Sequence, residues 1–74
     1  MTWESLKDQM VNEGYEVIVN FDNAYVEISC EKGGVKLSTR MPLETVEMSK
    51  YDGIEKVLRV QKSDLDAALL ERGV

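Results

Sequence analysis

Histidine is absent from this 74-residue chain. With it go the usual general acid or base near neutral pH, the Ser-His and Cys-His nucleophile pairs, and the commonest transition-metal ligand. Cysteine occurs once, at Cys30, so no internal disulfide can form and no zinc-binding spacing exists. No apolar run approaches the ~20 residues that span a bilayer. The opening Met1-Thr2-Trp3-Glu4-Ser5 carries neither a basic segment nor a signal-peptide core, so a cytoplasmic protein without membrane contact is expected.

Bases are scarce in the first part of the chain. Residues 1 to 31 hold seven acids (Glu4, Asp8, Glu13, Glu16, Asp22, Glu27, Glu31) against Lys7 alone, a balance of −6; residues 32 to 74 hold seven acids and eight bases, a balance of +1. An acidic block argues against general nucleic-acid binding and for solubility or a basic partner.

The acids occur singly and match no calcium loop with its central glycine, nor any other metal motif. Lys32-Gly33-Gly34 lacks the spacing of a phosphate loop and lies between two strand-like segments. The expectation is therefore a protein that is not an enzyme and takes no cofactor and no metal.

What the chain does contain is a pair of consecutive β-hairpins. A turn at Asp22-Asn23 pairs Phe21 with Ala24, Val19 with Val26, Val17 with Ile28 and Tyr15 with Cys30, all apolar. A second turn at Gly33-Gly34 continues the same inner face with Cys30 opposite Leu37, Ile28 opposite Thr39 and Val26 opposite Met41. On the outer face it sets Glu31 against Lys36 and Glu27 against Arg40, opposite charges worth ~0.2 to 1 kcal/mol per pair. Two turns imply one face pattern, which makes Cys30 a buried structural thiol.

Helices are expected at both ends. Thr2 is a capping residue, Trp3, Leu6, Met10 and Val11 recur at helical spacing, and Gly14 follows where a helix stops. Towards the carboxyl end, Ser63 is a cap, Asp64 and Asp66 suit a first turn, Leu65, Ala68 and Leu69 share a face, and Gly73 ends the run.

Between them Pro42 either closes the third strand or opens a short helix over Leu43 to Ser49. The β-prone segments Thr45 to Met48 and Val57 to Val60, joined by a loop around Tyr51-Asp52-Gly53, favour a third hairpin with Val46 opposite Val60 and Met48 opposite Leu58.

The expected fold is thus one small α+β domain over residues 1–74: an N-terminal helix, an antiparallel meander of three to five strands and a C-terminal helix, with both helices on one sheet face. Its core is expected to comprise Trp3, Leu6, Met10, Val17, Val19, Phe21, Val26, Ile28, Cys30, Leu37, Leu58, Val60, Leu65 and Leu69. This element order is shared with double-stranded-RNA-binding domains, but those place bases at the start of the last helix, where this chain has Ser63-Asp64-Leu65-Asp66.

By elimination the expected role is a small acidic, non-catalytic regulatory module working through protein contacts, including inhibition of a basic nucleic-acid-handling protein. Its contact residues would be Glu4, Asp8, Glu13, Glu16, Ile18, Asp22 and Tyr25, since Ile18 and Tyr25 are apolar or aromatic on an otherwise polar outer face. A structural homodimer, or nucleic-acid binding on the outer sheet face, are the alternatives.

Overall fold

The computed structural model describes residues 2–48 and 52–72. The chain runs α1 (Trp3–Asn12), β1 (Glu16–Phe21), β2 (Tyr25–Lys32), β3 (Val35–Pro42), α2 (Leu43–Met48) and α3 (Asp52–Arg72). The three strands form one antiparallel sheet in the order β1-β2-β3, with α1 and α3 packed on the same face. This is the α+β arrangement expected, with three strands in the sheet among the described residues.

Thr2 caps α1, its side chain accepting from the Ser5 N–H at 3.2 Å, and Gly14 follows at φ +98°, a left-handed conformation that glycine adopts without steric cost. The chain then turns into the sheet. Leu6 and Met10, one helical turn apart, bury the stripe that α1 lays on β1 and α3.

In the second hairpin the register is the expected one residue for residue: Cys30 faces Leu37, Ile28 faces Thr39, Glu31 faces Lys36 and Glu27 faces Arg40. The first hairpin departs from expectation. Its turn is centred on Asn23-Ala24, closed by the Asp22 N–H donating to the Tyr25 carbonyl at 2.8 Å, so Val17 pairs with Cys30, Val19 with Ile28 and Phe21 with Val26. Moving a turn by one residue moves every partner by two, which leaves the inner and outer faces unchanged because side chains alternate with period two.

The third hairpin does not form. Residues 43–48 are α2 and residues 52–72 are one helix of 21 residues, starting well before Ser63. Ile54, Leu58, Gln61 and Leu65 recur three to four residues apart and are all buried, a helical stripe that strand pairing would split between two faces. Glu55 and Arg59, four apart, meet at 2.7 Å on the exposed side. The short helix after Pro42 is the arrangement adopted, while Ser49, its expected last residue, Tyr51 of the expected loop and the Gly73 stop lie outside the described residues.

Pro42 serves both neighbours. The Leu43 N–H donates across the sheet to the Ala24 carbonyl at 2.9 Å, and hydrogen-bonded pairs alternate along an antiparallel ladder. Pro42, missing an N–H, therefore points its nitrogen away from β2 at the sheet edge, where the loss costs nothing.

The buried core is Leu6, Met10, Tyr15, Val17, Val26, Ile28, Cys30, Ile54, Leu58 and Leu65. Six expected members lie outside it: Val60 is on the solvent side of α3 at 59% exposure, Phe21 is 48% exposed at the sheet end, Trp3, with its ring 6.1 Å from that of Phe21, packs half-buried against the core as do Val19 and Leu37, and Leu69 is half-buried on α3. Ile54 and Gln61 enter the core because α3 begins earlier than the cap at Ser63 implies.

Candidate functional site

Because α1 and α3 lie on one face, the opposite face of the sheet carries no described helix. Its side chains form rows across the strands: Glu16, Glu31 and Lys36; Ile18, Ser29 and Ser38; Asn20, Glu27 and Arg40; then Tyr25 beside Pro42. The shifted first hairpin changes these neighbours from those expected. Glu16 now stands opposite Glu31, a like-charge pair eased by Lys36 on the far side, and Ile18 stands opposite Ser29. The Ser29 and Ser38 hydroxyls meet at 3.1 Å.

Tyr25 and Ile18 are separated by the row of Asn20 and Glu27, so the single patch expected of them divides in two. Ile18, half-exposed, belongs to the middle of edge strand β1. Tyr25, also exposed, belongs to the hairpin end, where the Arg40 guanidinium lies 5.0 Å from its ring centre. Asn20, Phe21, Asp22, Tyr25, Glu27 and Arg40 line a depression of about 270 Å³ there.

The acidic residues expected to act together are distributed over two sides of the molecule. Glu4 and Asp8 are exposed on α1, behind the sheet. Glu13, at the end of α1, accepts from Gln9 and lies 3.8 Å from the Lys62 ammonium of α3. Glu16 is on the outer face of β1, and Asp22 sits in the β1–β2 turn with its carboxylate accepting the Asn23 N–H at 2.7 Å. Only Asp22 and Tyr25 of the expected set share the depression; Glu27 and Arg40 complete it.

A second polar cluster joins Tyr15, just before β1, and the end of β2 to α3. The buried Tyr15 hydroxyl donates to the Asp66 carboxylate, Lys32 lies 4.3 Å from the Tyr15 ring centre, and Lys62 lies 3.6 Å from Asp66. Burial first, and the Asp66 carboxylate second, push the Tyr15 phenol up to about 12. Leu6, Gln9, Arg59, Lys62, Ser63 and Asp66 line a neighbouring cleft of about 400 Å³. Arg59 and Lys62 already meet carboxylates there, so the cleft has no surplus of positive charge.

Cys30 is fully buried in the core, and burial pushes its thiol up to about 11, the reverse of what a reactive thiolate requires. Among the described residues no three acidic or thiol side chains group as metal ligands would, and no helix is long and apolar enough to cross a membrane. No protein-family model, no curated protein and no solved structure matches this chain.

Proposed function

We propose that the protein is a non-catalytic interaction module whose outer sheet face receives a basic side chain of a protein partner at the Tyr25 depression. One observation carries the reading. An aromatic ring shares the depression with two carboxylates, Asp22 and Glu27, and already holds one guanidinium, that of Arg40, over its face. Arg and Lys are held by a ring face and neighbouring carboxylates, at about 0.5–1 kcal/mol per cation–π contact at exposed sites.

The net charge of −5 draws such a partner in and makes the encounter salt-dependent. Proteins that handle nucleic acid present basic surfaces, and occupation of such a surface by an acidic module would inhibit them. Glu4 and Asp8, on the far side of the sheet, would contribute long-range attraction rather than contact.

The test is capture from nuclease-treated lysate by the tagged wild-type chain, run in parallel with Tyr25→Ala and Asp22→Lys. A protein held by the wild type, released by high salt and lost with both variants supports the reading. Retention of the same protein by both variants overturns it.

A further inference from the structure

We infer that the chain forms a two-fold dimer by pairing β1 with β1 of a second copy, joining two three-stranded sheets into one of six strands. The inference goes beyond the Tyr25 depression and does not depend on it.

The two sheet edges differ in kind. The β3 edge carries Lys36 and Arg40 and ends in Pro42, three of the devices by which natural sheets discourage edge-to-edge pairing. The β1 edge, Glu16-Val17-Ile18-Val19-Asn20-Phe21, has no lysine, no arginine and no proline, and its centre is a β-branched run. The Asp22–Tyr25 hydrogen bond fixes the alternation of the β1–β2 ladder, so the backbone N–H and C=O groups of Val17 and Val19 face away from β2.

Exposed apolar side chains gather along the same flank. Ile18 is 50% exposed on the outer side of β1, and Val11 is 49% exposed on α1. Gln9 and Leu6 turn towards α3, lining the cleft with Lys62, and residues two apart on a helix do not share a face. Val11 therefore points away from α3, towards the side on which β1 is the edge.

Charge selects the register and with it the occupant. With the two-fold axis at Ile18, the two Ile18 side chains meet on the outer face, Val17 pairs with the partner's Val19, and Glu16 stands opposite the partner's Asn20. Centring on Val19 instead would set Glu16 against the partner's Asp22. The Ile18-centred pairing opposes no like charges and covers the most exposed apolar residue of β1. A self-complementary edge of this kind fits a second copy of the same strand.

Ile18 and the partner's Ile18 would form a non-hydrogen-bonded pair, with Cα atoms about 4.5 Å apart, inside the range that a disulfide bridges. The experiment is light-scattering mass of the wild type across concentration and salt, with oxidative cross-linking of Ile18→Cys and, as control, Ser38→Cys on β3. The native Cys30 is buried and takes no part.

The expected results are a dimer mass at high concentration, strengthened by salt because both copies are negatively charged, and cross-linking of Ile18→Cys about tenfold or more faster than of Ser38→Cys. Val11→Glu, an exposed change that spares the core, should raise the dissociation constant about tenfold. A monomer at every concentration, or equal cross-linking at both cysteines, overturns the inference. Salt also separates it from the Tyr25 reading, since a basic partner is released by salt that the dimer survives.

Discussion

Tyr15 and Asp66, 51 residues apart, are joined by a hydrogen bond in which the buried phenol donates to a carboxylate of the last helix. The bond ties the entry to the sheet to α3, with the Lys32 and Lys62 ammonium groups 4.3 and 5.8 Å from the Tyr15 ring centre. Tyr15→Phe removes it and should cost about 1 kcal/mol, at the low end for a charged acceptor because Asp66 is half in water. Chemical denaturation of wild type and variant measures the difference.

Alkali should unfold the protein through two groups. Folding raises the Cys30 pKa from 9.0 to about 11, through burial, and the Tyr15 pKa from 10.0 to about 12, through burial and then Asp66. Each favours the neutral form in the folded state, so their contribution is complete below pH 9 and is lost as pH rises through 11 and 12. Stability against pH for the wild type, Tyr15→Phe and Cys30→Ala should show each group's share of the loss. Tyrosinate absorbance should show Tyr15 ionising above the usual tyrosine range.

Leu58 and Val60 distinguish a helix from a strand in this segment. Leu58 is fully buried and Val60 is 59% exposed, so Leu58→Ala should cost about 2–5 kcal/mol and Val60→Ala less than about 0.5. Equal losses would mean that both side chains are packed, as in the hairpin the sequence favours.

Gly33 occupies the β2–β3 turn at φ +62°, and a Cβ there would lie 2.5 Å from Cδ2 of Leu69. Gly33→Ala should therefore cost about 1–2 kcal/mol from the left-handed backbone and the collision together. Leu69→Ala in the same chain should return only the part due to collision. A double-mutant cycle on thermal unfolding measures that coupling, expected near 0.5–1 kcal/mol.

Gln61 is 3% exposed, and its amide donates to the Ile28 carbonyl and to the Thr39 hydroxyl, each at 3.0 Å, while its own oxygen has no partner. Gln61→Glu would place a carboxylate against that carbonyl and should destabilise by about 3 kcal/mol or more at neutral pH, relieved on acidification. Gln61→Met keeps the volume and removes the unpartnered oxygen, and should fall within about 1 kcal/mol of the wild type. Denaturation midpoints of the two variants check both.

The faces of the sheet were legible because alternation has period two. The same period hid the shift of the first turn, since Asp22-Asn23 and Asn23-Ala24 place identical residues inside and outside. What the shift altered was the site: it parted Ile18 from Tyr25 and set Glu27 opposite Asn20 in the depression. The extent of α3 was masked by a polar residue, Gln61, within the buried stripe and by β-branched Val57 and Val60; the Glu55–Arg59 spacing was the helical signal available. Grouping of the acids by chain position did not reveal that a sheet would stand between Glu4 and Glu16. Arg40 was legible as a partner of Glu27 and not as a cover for Tyr25, because pairing names the residue directly opposite and the guanidinium reaches the Tyr25 ring diagonally, through its side-chain conformation.

Sealing the only thiol of the chain inside the packed core gives the molecule a built-in clock. Cys30 has no exposed surface, so an alkylating reagent reaches it only when the core parts, and the rate of labelling in native buffer reads how often that happens. Excess reagent counts openings one by one, dilute reagent reads their equilibrium population, and no introduced probe disturbs either measurement.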